Sequence, residues 1–193
     1  MKKATARTTI IIVLLVVAVV GYYAYLANKS KESKAEASMT VVETTLSRDL
    51  TRDYPPTPKE VIKYYNEILR CLYNEEATDE EIEALGLKAR ELYDDDLLAI
   101  NELGTHQMLL QAEIVDWKKN NRRYISFNPA ASTDVDTFEY KGYFCAKIAC
   151  AYAIAQDGRN YQISQVYILR KDENKHWKIF GWRDESQMEP QTE

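Results

Sequence analysis

The residues able to do chemistry in this 193-residue chain are few and scattered. They are Cys71, Cys145 and Cys150, His106 and His176, the acidic run over residues 75–83, and the triplet Asp94, Asp95 and Asp96. On one extended strand Cys145 and Cys150 point to opposite faces, roughly 17 Å apart at the usual rise, too far to bridge. Cys71 pairing with either one stays open, although a sparse, odd set fits buried small hydrophobes better. No Cys/His spacing suits zinc. The acidic groups lack the glycine-punctuated calcium loop and fall at helix starts, where negative charge is favoured. Neither a metal nor a cofactor is therefore expected. His106 falls in a first helical turn and His176 in a turn before Trp177. Neither has a Ser, Cys or Asp partner nearby, so both read as exposed. No catalytic residue can be named, which makes an enzyme the least supported class.

The polar side chain that stands out is Gln165, and the strands around it explain why. Residues 137–182 read as three strands joined by two turns, after a short strand near Tyr124–Phe127. Asp157-Gly158 between two alternating runs signals a two-residue hairpin turn. That register sets Ile154 opposite Tyr161, Tyr152 opposite Ile163, Ile148 opposite Tyr167 and Ala146 opposite Leu169, all on one apolar face. A second turn at residues 171–175 then pairs Leu169 with Trp177, Tyr167 with Ile179 and Gln165 with Gly181. Gln165 thus lies on the core face between Cys150 and a glycine, with Tyr152 and Tyr167 near. These four, Gln165, Tyr152, Tyr167 and Cys150, form a candidate ligand pocket; a glutamine bonded to a covering helix is the alternative. The opposite face carries Val166, Ile168, Phe180 and Trp182, too apolar for open solvent, and is a candidate partner-contact surface. The piece near residues 40–50 is a second candidate to cover it.

The other elements must position this sheet. Residues 8–27 hold no charge and match the length of a bilayer core, with Tyr22, Tyr23 and Tyr25 at one end as interface residues. Lys2, Lys3 and Arg7 precede them. The expected layout is a cytoplasmic tail over 1–7, a transmembrane helix over 8–27, a spacer and lead-in over 28–56, a domain over 57–185 and a disordered tail over 186–193. A cleaved signal peptide, cut near Ala35-Glu36-Ala37, is the rival reading. The net charge is −5, and three basic residues precede residue 28, so the remainder carries −8. An acidic domain without a basic stripe excludes nucleic acid as a partner. Thr57-Pro58-Lys59-Glu60 and Thr78-Asp79-Glu80-Glu81 read as capping boxes opening two helices. A short helix follows over 97–102, and Thr105 starts a third main helix carrying Leu110, Ile114 and Trp117.

Helices followed by a long antiparallel sheet that ends in Trp177-Lys178-Ile179-Phe180-Gly181-Trp182 resemble the nuclear transport factor 2-like (cystatin-like α+β cone) superfamily. More narrowly, this ending resembles, together with Tyr54-Pro55-Pro56-Thr57-Pro58-Lys59-Glu60-Val61 and the stretch from Leu85 to Tyr93, a family of small bacterial single-pass membrane proteins of unknown function. The superfamily resemblance implies an α+β cone. Its enzymes use a Tyr/Asp or His/Asp set inside the cone, and the core face read here offers tyrosines and Gln165 but no carboxylate. Its noncatalytic, membrane-tethered members serve in secretion assembly and in penicillin-binding proteins. The resulting expectation is a single-pass membrane protein with its N-terminus cytoplasmic and an extracytoplasmic interaction or assembly domain. Membrane lipid is one partner, and a second copy or another envelope protein the other. A small-ligand-binding cone and an isomerase- or dehydratase-like enzyme are the alternatives.

Overall fold

A computed structural model of the chain describes residue 18, residues 20–25 and residues 39–187. The chain divides into two compact units, Met1–Thr40 and Val41–Glu193. Of the described residues of the first, 18 and 20–25 are helical. The expected span over 8–27 lies largely outside the described residues, and among those described no helix is long and apolar enough to cross a membrane. Of the expected tail, residues 188–193 also lie outside, and Glu185–Gln187 close the sheet as a 3-10 turn.

The second unit is α+β, as the sequence predicts: helices packed on an antiparallel sheet. Its helices are α1 (Val41–Leu46), α2 (Pro58–Asn74), α3 (Asp79–Arg90), α4 (Asp95–Ile100) and α5 (Leu103–Lys119). Its strands are β1 (Arg122–Pro129), β2 (Asp136–Tyr140), β3 (Tyr143–Gln156), β4 (Arg159–Lys171) and β5 (Trp177–Asp184). The order is β1-β3-β4-β5, with β2 pairing the first part of β3.

The helix starts follow their caps. Thr78 accepts from Glu81 N and the Glu81 carboxylate accepts from Thr78 N, a complete capping box. Thr57 accepts from Glu60 N, but Glu60 turns to Lys63 instead of returning the bond. α5 starts at Leu103, ahead of the expected Thr105, and the side chain of its cap residue Glu102 accepts from the Thr105 hydroxyl and from no backbone N–H of the helix start. α1 packs against α2 and leaves the outer sheet face alone: Tyr64 OH donates to Thr45 O at 2.7 Å, and Val42 and Leu50 join the core.

The β3–β4 register is the predicted one throughout, from Cys145 opposite Arg170 to Gln156 opposite Arg159. Two features depart from expectation. Residues 137–182 hold four strands, because Lys141 and Gly142 adopt φ of 51° and 82° and fold β2 back onto β3. Positive φ at both central positions is what a two-residue hairpin turn demands, and the glycine supplies half of it freely. The β4–β5 register is the second correction. Lys171 joins the strand opposite Trp177, and Leu169 faces Ile179. The loop is shifted to residues 172–176 and closed by Asp172, whose N–H donates to His176 O and whose carboxylate accepts from His176 N. A bulge at Phe180 then shifts the ladder again, so Tyr167 faces Trp182 and Gln165 faces Asp184. An extra residue in one strand reverses the faces beyond it. Gly181 therefore lies opposite Ile168, not beside Gln165, and Trp182 turns to the core side.

Candidate functional site

Two clusters of tyrosine occupy the space between helices and sheet. The first contains the four residues the sequence singled out, and the fold does bring them together. Tyr152 and Tyr167 are neighbours on the core face of β3 and β4, their hydroxyls 2.6 Å apart. Tyr167 OH donates to Gln165 Oε1 at 2.9 Å, and Gln165 Nε2 donates to Asp184 Oδ1. At the other end Asn66 of α2 contacts both the Tyr152 hydroxyl and the Cys150 sulfur. Gln165 thus bonds along the sheet, to a tyrosine and a carboxylate, and to no helix.

Burial makes this chain of polar groups consequential. Tyr152, Tyr167, Cys150 and Asn66 are all nearly inaccessible, and desolvation, before any neighbour, pushes both phenols far above their ordinary value of 10. The protons stay on. Two hydroxyl protons serve three contacts only if an amide donates at one end. The count closes when the Asn66 amide presents its NH2 to Tyr152 and its oxygen to the Cys150 thiol. Every buried group then has a partner, which is how such networks specify a core rather than weaken it.

The second cluster surrounds open space. A cavity of about 300 Å³ lies between α2, α3, α5 and the end of β5. One wall is a triangle of rings: Tyr65, Tyr93 and Trp182, with centroids 5.9–6.1 Å apart. Leu69, Leu72, Ala89, Leu109 and Leu110 add apolar surface, while Tyr73, Asn101, Thr105, His106 and Glu113 supply polar atoms. The Tyr65 and Tyr93 hydroxyls meet at 3.3 Å. His106 sets its ring edge-on to Tyr93, 6.1 Å between centroids, and its Nδ1 is buried without a hydrogen-bond partner. Burial first, then the Arg90 charge, lowers the imidazole below its ordinary 6.5, so the ring is neutral at pH 7. Burial, then the Glu113 carboxylate, pushes the Tyr73 phenol well above 10. The site thus offers a neutral imidazole, phenol hydroxyls and one carboxylate around an aromatic floor.

Sequence reading placed His106 at the surface and missed Glu113 as a site residue. The available signal was their spacing: His106, Leu110 and Glu113 recur at intervals of four and three, one face of a helix. It was masked because α5 is apolar on several faces, with Met108, Leu109 and Val115 all exposed. Trp182, expected on the outer face, forms part of the cavity wall because of the bulge at Phe180.

The four outer-face residues do not stay together. Val166 is buried beside Ala149 and Arg183, Ile168 is half-buried, and Phe180 is 40 % exposed. Phe180 and Tyr143 lie on either side of the Arg170 guanidinium, 4.7 and 4.1 Å from it to their ring centroids. That guanidinium forms a two-pronged ion pair with Asp94 and reaches Asp96 at 2.8 Å. The hydrogen bonds that Arg170 donates to Asp94, before any other cause, raise its pKa further. Because Asp94 also caps α4 through Asp96 N, the clamp ties α4 to the sheet.

His176 stacks on Tyr54 at 4.2 Å. The three cysteines are free and buried, so neither pairing with Cys71 is formed. Among the described residues no cluster could hold a metal ion.

No curated protein matches the chain. A family model does, that of a domain of unknown function (DUF6715), and its match covers residues 1–182, so this chain belongs to the DUF6715 family.

Proposed function

We propose that the chain is a membrane-anchored, noncatalytic binding domain that holds a small, mostly apolar molecule in the cavity beside Trp182. The observation that carries this reading is the cavity itself: about 300 Å³, with an aromatic wall and a few polar atoms. That combination is the usual make-up of a small-molecule site. With the imidazole proton assigned to Nε2, the unpartnered His106 Nδ1 is an acceptor and favours a ligand bearing a hydrogen-bond donor, since an unmet buried acceptor is costly. The uncharged stretch over residues 8–27 supports the anchor, and the basic residues before it support a cytoplasmic N-terminus with the domain outside. Helices stacked on an antiparallel sheet support the nuclear transport factor 2-like cone that the closing strand resembles. The Gln165 network, fully bonded to itself, supports a structural role for Tyr152, Tyr167 and Cys150 in place of a pocket.

The test uses indole, an aromatic probe with one N–H donor, on full-length protein in lipid nanodiscs labelled with fluorotryptophan. Indole shifts the Trp182 resonance and leaves Trp177 unmoved, and Ala89→Leu, which extends a buried side chain into the cavity, abolishes the shift. Equal shifts at both tryptophans, or a response untouched by Ala89→Leu, would sink the reading.

An assembly module acting through the outer face is the second reading, favoured by the exposure of Phe180. Phe180→Glu then abolishes partner capture without changing the indole response. Unchanged cross-linking removes it.

A further inference from the structure

Among the described residues the sheet edges are blocked at every strand but one. β1 carries a bulge between Tyr124 and Ser126. The Asn74 side chain sits on its edge, donating to Tyr124 O at 2.8 Å and accepting from Tyr124 N at 2.9 Å. β2 is five residues long with Asp136 and Glu139 in it. β5 begins against the segment before α4: Ile179 N donates to Leu92 O, and Asp94 N donates to Ile179 O. Its bulge at Phe180 follows directly. Short strands, charges, bulges and covering segments are the devices by which proteins prevent strands from pairing with other chains.

The first half of β4 has the fewest of them: Arg159 is its one charge, and past the end of β5 the 3-10 turn Glu185–Gln187 comes beside β4 without adding a strand. β3 pairs with β4 from Arg159 onward, whereas β5 pairs with it only from Gln165 to Lys171. Residues 159–163 therefore have a strand on one side alone, and all five are exposed. Gln156 and Arg159 close the two-residue turn, so Arg159, Tyr161 and Ile163 exchange their backbone bonds with β3. Asn160 and Gln162 aim theirs at the open edge. The stretch is Arg-Asn-Tyr-Gln-Ile, with one charge and no proline.

We propose that this edge is a self-association surface, paired antiparallel with the same edge of a second copy about a two-fold axis at Tyr161. A second copy is the occupant because the edge is complementary to itself. The two-fold gives Asn160 of each copy the free N–H and C=O of Gln162 of the other. It sets Tyr161, 46 % exposed, against its own counterpart, and Ile163, 39 % exposed, along the aliphatic stem of the other copy's Arg159. The single charge meets an apolar residue, not a like charge, and cross-strand aromatic pairs of this kind favour pairing. An unrelated extended peptide would satisfy the backbone but supplies no such match.

Full-length protein in detergent micelles tests this. Residue 161 faces itself at a non-hydrogen-bonded position, where Cα atoms stand about 4.5 Å apart, within disulfide range. Mild oxidation of Tyr161→Cys gives a reducible covalent dimer, while Asn160→Cys, which faces Gln162, gives far less. Wild-type protein sediments as a dimer and Gln162→Pro as a monomer with an unchanged melting temperature, since the N–H it loses points away from β3. Should Gln162→Pro fail to fold, Tyr161→Lys sets like charges opposite each other and gives the same monomer. A monomeric wild type, equal cross-linking at positions 160 and 161, or capture of an extended peptide by a monomer overturns the proposal.

Discussion

Tyr152 and Tyr167 form the middle of a chain of bonded groups; Tyr65, Tyr73 and Tyr93 line empty space a ring's width away. Tyr65 stands between them, edge-on to Tyr167 at 6.1 Å and tilted against Trp182 at 5.9 Å. Burial raises the phenols of both sets, so neither exposure nor acidity separates them. Partnership does. In the network each polar atom has a neighbour within the fold, whereas the cavity leaves His106 Nδ1 without one. Completed bonding marks the network as part of the core, and incomplete bonding beside open volume marks the cavity as a place for something else.

The sharpest way to break the comparison is to loosen the cavity from outside while the network stays intact. Arg170 and Asp94 are almost fully buried, with side chains 12 % and 8 % exposed. Arg170→Met leaves the Asp94 carboxylate uncompensated, and breaking such a pair costs about 3–5 kcal/mol. Asp94 caps the start of α4, and the far end of that helix, Ile100 with Asn101, lines the cavity. Chemical denaturation should therefore show the largest stability loss of the variants considered, together with a weakened indole response at Trp182. A loss below about 1 kcal/mol, the range of an exposed pair, would mean the clamp holds little.

The network itself comes next. Tyr152→Phe keeps the ring and removes the hydroxyl that links Asn66 to Tyr167. Stranding buried partners costs about 1–3 kcal/mol, visible as a lower denaturation midpoint, while indole binding is unchanged. A variant that loses indole binding with its stability intact would reverse the roles assigned to the two tyrosine clusters.

How much of this was legible in the sequence depends on whether local rules decided it. The β3–β4 register was legible because Asp157-Gly158 fixes it and every alternating pair agrees. The helices were legible from Thr57 and Thr78. The bulge at Phe180 was not, since nothing in Ile179-Phe180-Gly181-Trp182 says which residue is extra; the parallel bridge between Tyr93 and Ile179 holds the strand there. That one residue carried Trp182 from the outer face to the cavity wall and Gly181 away from Gln165. The hairpin at Lys141-Gly142 escaped because lysine rarely adopts positive φ, and only pairing with β3 enforces it. Gln165, Tyr152, Tyr167 and Cys150 were grouped correctly from pairing alone. That they bond to one another, and leave the space elsewhere, depends on α2 delivering Asn66, a contact across 84 residues.

The smallest expected effect separates the clusters by pH. His106 is held neutral by burial and by Arg90, so its folded pKa lies below the unfolded value near 6.5. Its proton then binds the unfolded chain more tightly than the folded one. The contribution is complete above the unfolded pKa, shrinks as pH falls below it, and is gone once pH has passed through the folded pKa. His106→Gln removes that titration. Melting temperatures from about pH 7.5 to about pH 5 should fall less steeply for this variant than for the wild type. Tyr152→Phe should keep the wild-type slope, because its phenol stays protonated throughout that window. Occupancy of the cavity adds a second difference: a ligand donating to Nδ1 binds the neutral ring alone, so indole should raise the melting temperature more at the upper end of the range than at the lower. Equal stabilisation at both ends would mean that the probe does not reach the histidine and that the cavity selects by shape alone.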